Sequence, residues 1–140
     1  MEKLMVFIFL AAFLKPEVPD SPLSITVYVT GQQKGLIQLL VFDSPEGFPD
    51  QPQKAIRREA VKIENGKAFF HFKDLKKGEY AISAFHDQDG DGKMRKNIFG
   101  IPKDPYGFSN DVRNPFSPPT FQSAAIQLPK DGLAISFTLL

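Results

Sequence analysis

The sequence contains no cysteine and no tryptophan, only two histidines, and a net charge of only +1. Without cysteine there is no disulfide framework, so an apolar core must hold the fold unaided, and no thiol is present to carry a lipid anchor. Two scattered histidines lack the spacing of a zinc site. Setting aside Lys3, Lys15 and Glu2 near the start, the 17 basic and 16 acidic residues fall to 15 of each. That balance is unlike the basic footprint of a nucleic-acid binder. The apolar run 4–14 has eleven residues, too few to cross a bilayer as a helix. It follows Met1-Glu2-Lys3 and stops at Lys15-Pro16, the layout of an export signal. Residues 1–20 are therefore expected to be a signal peptide or leader. The mature chain would begin between Lys15 and Ser24, and the protein would be secreted or periplasmic.

What the chain has in quantity is phenylalanine, 14 residues, with 12 prolines and 10 glycines. Leu23-Ser-Ile-Thr-Val-Tyr-Val-Thr30 alternates apolar and polar residues, the pattern of a half-buried strand. Leu36-Ile-Gln-Leu-Leu-Val-Phe42 is more apolar and reads as a more central strand. Pro45, Gly47, Pro49 and Pro52 mark a loop. Strands over 60–63 and 67–72 flank Asn65-Gly66, the dipeptide suited to a type I′ hairpin turn because both central positions need positive φ. A turn over 74–78 leads into a strand over 79–86. A final pair, 121–128 and 133–140, is joined by Pro129-Lys-Asp-Gly132. Seven short strands and no helical pattern predict one all-β domain over 23–140. Its expected form is a single antiparallel β-sandwich, Ig-like or transthyretin-like.

Between the fifth and sixth strands lie roughly thirty residues without periodicity, a length that in a compact domain marks function or disorder. Their aromatics and prolines argue for order. The stretch opens with Phe85-His-Asp-Gln-Asp-Gly-Asp-Gly-Lys-Met94. Asp87, Asp89 and Asp91 stand at alternate positions before Gly92, the opening of a calcium loop, since a hard cation takes several oxygen ligands at once. Ile98 occupies the place of the closing acidic ligand, and Lys93 and Arg95 put positive charge inside, so the segment is no EF-hand. Asn97, Asp104, Asn110 and Asp111 are further oxygen donors nearby. The alternative is a turn whose carboxylates accept backbone N–H groups.

His86 beside Asp87 or Asp89 has the composition of a general base with its orienting carboxylate, which makes a metal-dependent or His/Asp hydrolase the competing enzyme reading. Ser109 is the only nucleophile candidate in the loop, and its flanks match no nucleophile elbow. The bland reading of His86 is a strand-end residue bonded to the loop. Phe99, Tyr106, Phe108 and Phe116 punctuate a segment stiffened by Pro102, Pro105, Pro115, Pro118 and Pro119. These aromatics either close one end of the sandwich as a lid or stay exposed as a recognition surface. His86, Phe99, Tyr106, Phe108 and Asn110 are the candidate ligand-binding residues.

Four segments carry a family resemblance: Val41-Phe-Asp, Phe72-Lys-Asp-Leu-Lys-Lys-Gly-Glu-Tyr80, Phe85 to Met94, and Phe99-Gly-Ile-Pro-Lys-Asp-Pro-Tyr-Gly-Phe-Ser-Asn110. Over about 24–140 the chain resembles the bacterial family called domain of unknown function 2141. That resemblance implies a small exported protein and no established activity. The family pattern often has an acidic residue where this chain has Arg95, and it tolerates Asn at the loop aspartates. Residues 74–80 are also similar to an element of transthyretin-like and carboxypeptidase-regulatory-like domains, which implies that Gly78 turns the chain and Tyr80 packs. The reading that follows is an exported non-catalytic binding or accessory module working through 86–120, with calcium as its cofactor if the aspartates take a metal. A structural envelope role is the third alternative, and no transmembrane helix or nucleic-acid partner is expected.

Overall fold

Alternation along β1 (Asp20–Val29) sends Leu23, Ile25 and Val27 fully into the interior. Each such side chain contributes about 1.5–3 kcal/mol by leaving water. The computed structural model describes residues 14–140, so most of the expected leader lies outside the described residues, and 14–19 are exposed and without secondary structure. The other strands are β2 (Leu36–Phe42), β3 (Arg57–Lys62), β4 (Lys67–Lys76), β5 (Gly78–Asp87), β6 (Tyr106–Phe108), β7 (Ile126–Leu128) and β8 (Leu133–Leu139). One helix of four residues, α1 (Phe121–Ala124), and two 3-10 turns complete the described elements. None of these helices is long and apolar enough to cross a membrane.

Two sheets face each other. The smaller has the order β4-β1-β8, and the larger has the order β3-β2-β5-β6 with β7 also paired to β5. Ile25 and Val27 of β1, Phe70 of β4 and Phe137 of β8 meet Ile37, Leu39, Val41 and Ile82 of the larger sheet in the main core. The expected all-β sandwich is thus the architecture.

Its pairing departs from the antiparallel expectation at one place: β8 runs parallel to β1, with Leu23 opposite Leu133 and Val29 opposite Leu139. The supposed final hairpin is the cause. β7 pairs with β5, Tyr80 opposite Ile126, and so belongs to the other sheet. The connection after it therefore crosses between sheets, and β8 arrives beside β1 in the same direction. The first half of the strand expected over 121–128 is α1. Thr120 caps it by accepting the Ser123 N–H at 3.2 Å, and the helical turn buries both Phe121 and Ala124.

Asn65 and Gly66 have φ of 50° and 77°, the conformation expected of that dipeptide. The hairpin they close is short. Glu64 and Lys67 pair, after which β3 joins β2 and β4 joins β1. β3 is a largely exposed edge carrying Arg57, Arg58, Glu59 and Lys62, charges that discourage pairing with another chain. The turn expected over 74–78 is tighter still, because β4 continues to Lys76 and β5 starts at Gly78. Tyr80 packs in the core and donates its hydroxyl hydrogen to the Lys76 carbonyl at 2.6 Å.

β5 is covered on both faces. On its outer side Ala81 joins Phe42, Phe108, Phe121 and Ala124 in a second apolar cluster. Phe48 sits at its centre, 5.4 Å from Phe42 and 6.1 Å from both Phe108 and Phe121 by ring centroids. Buried Ser109 holds this layer together: its hydroxyl donates to the Ala124 carbonyl at 2.5 Å and accepts from the Ile82 N–H at 3.0 Å. The sandwich also closes along one side, where Tyr106 and Leu140 exchange backbone hydrogen bonds at 3.2 Å. Gly107 permits that approach, since a Cβ there would lie 2.7 Å from the Thr138 carbonyl oxygen.

Candidate functional site

β5 and β6 are the two arms of a long hairpin, Phe85 pairing with Tyr106 and Ser83 with Phe108. Everything from 88 to 105 is its connection. Part of the stretch read from sequence as an ordered loop without periodicity is therefore sheet, and the site is built on the end of the central strand.

Alternation at the end of β5 sends His86 and Asp87 to opposite sides. His86 is 1 % exposed. Its Nε2 is 2.5 Å from the Lys34 carbonyl and donates to it, and its backbone N–H bonds the Pro105 carbonyl at 2.9 Å. The ring is a strut between the β1–β2 loop and the hairpin root. That loop is pressed so close to β5 that a Cβ on Gly35 would lie 2.3 Å from the Asp87 carbonyl oxygen.

Asp87 is fully buried, yet both oxygens of its carboxylate are hydrogen-bonded. Oδ1 accepts from Gly90 N–H at 3.0 Å, and Oδ2 accepts from Gly92 N–H at 2.8 Å and from the Gln38 amide at 3.0 Å. Burial is the largest single influence on this carboxyl and opposes its ionisation. The Gln38 amide, the Gly92 N–H, Asp89 and the Gly90 N–H together outweigh it and hold the group below its ordinary range. Asp89 and Asp91 are exposed and shape the turn locally. Asp89 accepts from the Asp91 N–H at 3.3 Å, and Asp91 from the Lys93 N–H at 2.8 Å. That N–H of Asp91 favours ionised Asp89, but desolvation and the carboxyls of Asp87 and Asp91 push Asp89 upward on balance.

One carboxylate oxygen from each of Asp87, Asp89 and Asp91 lies within 4.8 Å of the others. Oxygens around one calcium ion, at 2.3–2.6 Å from it, span about that distance. Asp87 uses three of roughly four lone-pair directions on protein donors, leaving one to share. The set fits a calcium ion in part: three carboxylates, with water or backbone carbonyls needed to complete six to eight ligands. Asp104 is not a further ligand. It is buried against Arg95, accepting the Arg95 backbone N–H at 2.7 Å and the guanidinium at 2.6–2.7 Å. The contact in turn keeps the guanidinium more firmly protonated.

Beyond this pair rises a second, smaller hairpin. Lys103 N–H bonds Arg95 carbonyl at 2.8 Å, Asn97 N–H bonds Ile101 carbonyl at 2.9 Å, and Gly100 N–H bonds Asn97 carbonyl at 3.0 Å. Gly100 has φ 77°, so the tip is a three-residue connection ending in a left-handed residue. The Asn97 side-chain oxygen locks it by accepting the N–H groups of Phe99 and Ile101 at 2.9 and 3.0 Å. Ile98, Phe99 and Ile101 stand out from this fixed backbone, 93 %, 81 % and 58 % exposed.

The five expected ligand residues thus separate. Phe99 is at the exposed tip. Tyr106 is half-buried with its ring 5.7 Å from that of Phe108, which is itself interior. His86 is interior too, and so offers no surface to a ligand. Asn110 is exposed, but its amide donates to the Ser123 and Ala125 carbonyls and fastens α1. Half of the expected lid exists, in Tyr106 and Phe108, while Phe99 and Phe116 remain in solvent. Sequence reading missed the parts played by Gln38, Lys34 and Asn97. The first two come from about 50 residues away and leave no local signal, whereas Asn before an apolar pair and Gly is a turn signature that was available.

His86 and Ser109, the residues with catalytic composition, are both buried and engaged. Two shallow concavities of about 280 and 320 Å³ are lined by 61–69 and by 16–19 with Lys77 and Lys130, so neither borders the aspartate turn. Residues 25–136 match the family described as an uncharacterised protein conserved in bacteria, DUF2141. No curated protein matches the chain.

Proposed function

The chain belongs to the DUF2141 family of bacterial proteins, and from that premise we propose that it is an exported, non-catalytic binding module. Its working surface is the hairpin at 95–103, and calcium strengthens the aspartate turn at the hairpin's root. The observation that carries this reading is the tip. Three large apolar side chains stand in water on a backbone that Asn97 already holds still. Each forgoes about 1.5–3 kcal/mol of burial, and turn positions ordinarily take polar residues or glycine. A fixed tip also loses little freedom when a partner covers it. Export is supported by the apolar run 4–14 behind Lys3 and its stop at Lys15-Pro16. The hydrolase alternative is disfavoured by the burial of the His86 ring and by the bond from its Nε2 to the Lys34 carbonyl.

Site-specific photocrosslinking in a producing bacterium tests the proposal. A crosslinker replacing Phe99 should give adducts that the same group replacing Tyr28, on the outer face of the smaller sheet, does not. Equal yields at the two positions would remove the tip from the argument.

A further inference from the structure

The charge around the tip narrows the class of partner. From 93 to 103 the chain carries Lys93, Arg95, Lys96 and Lys103 and no acidic residue. Arg95 is committed to buried Asp104 at the hairpin root. Lys96 is 3.9 Å from an Asp50 carboxylate that is itself exposed, a contact weak enough to exchange. Lys93, Lys96 and Lys103 are all exposed. Lys96 belongs to the paired rung it forms with Pro102, and Lys103 follows directly, so both stand just behind the apolar tip. The acidic groups nearest in sequence, Asp87, Asp89, Asp91 and Asp104, belong to the root.

An apolar point followed by a collar of flexible cations suits an interface that is apolar inside and anionic at its rim. A bilayer of acidic phospholipid has that layering, with acyl chains beneath a plane of phosphates. Ile98, Phe99 and Ile101 would enter below the headgroups while the lysines reach phosphate oxygens with their ammonium groups. A protein groove would take the apolar tip as well, but it gives no reason for three exposed lysines gathered behind it, of which Lys96 has only the exposed Asp50 at 3.9 Å beside it. Resting on the binding reading above, we infer that the hairpin at 95–103 docks the protein onto an anionic phospholipid surface.

The absence of tryptophan makes the test specific to this site. In the full-length chain, Phe99→Trp places the only indole at the tip, and Phe69→Trp places it on the outer face of the smaller sheet, where Phe69 is 57 % exposed. Vesicles containing phosphatidylglycerol should shift the emission of the first variant to the blue and leave the second unchanged. Pure phosphatidylcholine vesicles should act far more weakly, and about 0.5 M salt should reverse most of the effect. Adding Lys96→Gln and Lys103→Gln to the Phe99→Trp chain should weaken the titration about tenfold or more. An unchanged titration would overturn the anionic-surface assignment, and so would equal shifts at 69 and 99. No shift with any vesicle, alongside protein adducts from a crosslinker at 99, would make the partner a protein and leave the binding reading standing. Neither shift nor adduct would remove both.

Discussion

Replacing Asp87 should injure the fold far more than replacing either of the other aspartates, although all three look alike in the sequence. Its carboxylate accepts three hydrogen bonds of 2.8–3.0 Å at a fully buried position. Bonds to a charged acceptor are worth about 1.5–3 kcal/mol each, and the cost of burying the charge offsets part of that sum. In Asp87→Ala the N–H groups of Gly90 and Gly92 can turn to water, since that part of the turn is open, but the Gln38 amide is left facing a cavity. A net loss of about 3 kcal/mol follows, or about 10 °C in melting temperature for a chain of this size. Asp87→Asn keeps one oxygen and sets an amide against a backbone donor, so about 2 kcal/mol is expected. Asp89→Ala removes one exposed bond of 3.3 Å and should leave stability nearly unchanged. The pH dependence supplies an independent check. The folded state holds Asp87 below its usual range, while the unfolded chain titrates near about 3.9. This carboxylate's contribution is therefore complete above the unfolded value and is lost as pH falls through the folded one. Urea unfolding at pH 7 and between about pH 2 and 5 should show the gap between parent and Asp87→Asn closing in acid. An Asn variant as stable as the parent at pH 7, or a gap that persists in acid, would refute this account of the turn.

Other expectations follow from the same geometry. Calcium at a hundredfold excess over its Kd should stabilise the chain by about 2.7 kcal/mol relative to EDTA, a melting shift of several degrees. That shift should fade as pH falls through the raised Asp89 value, because protons compete for the same oxygens; a shift that survives Asp89→Ala and Asp91→Ala together would place the ion elsewhere. Gly107→Ala sets a methyl group 2.7 Å from the Thr138 carbonyl oxygen and should cost about 2–3 kcal/mol in urea unfolding by prising β6 from β8. Ser109→Ala leaves the Ile82 N–H and the Ala124 carbonyl without their buried partner, for a loss of about 2 kcal/mol. Arg95→Ala strips the buried Asp104 of its counter-charge and should loosen the root of the smaller hairpin, detectable as faster hydrogen exchange at Asn97 and Lys103.

The limits of sequence reading fall where contacts are non-local. Alternation in β1 and the Asn65-Gly66 turn are short-range properties, and both are found where the pattern puts them. The 121–128 segment misled because its apolar residues suit either a strand or one helical turn. Thr120 as a cap and the pocket around Phe48 decide for the turn at Phe121. β6 carried no pattern at all, since three residues cannot display a period. Only the open edge of β5 and the close approach of β8, which Gly107 allows, make it a strand.

By itself the sequence determined that the chain is all-β, that its core needs no disulfide, that three carboxylates share one turn, and that aromatics gather after it. Those are matters of composition and of intervals under about ten residues, which the chain's own stereochemistry enforces. Tertiary structure alone decided which strands meet, that β8 lies parallel to β1, and which groups at the site are within reach of solvent. His86 and Asp87 are neighbours in sequence, yet one braces the Lys34 carbonyl and the other receives the Gln38 amide. Phe99 and Phe108 belong to one aromatic series, yet one is in water and the other is in the core. The reason is physical: burial and hydrogen-bond partnership depend on segments some fifty residues away, and no local pattern encodes where those segments arrive.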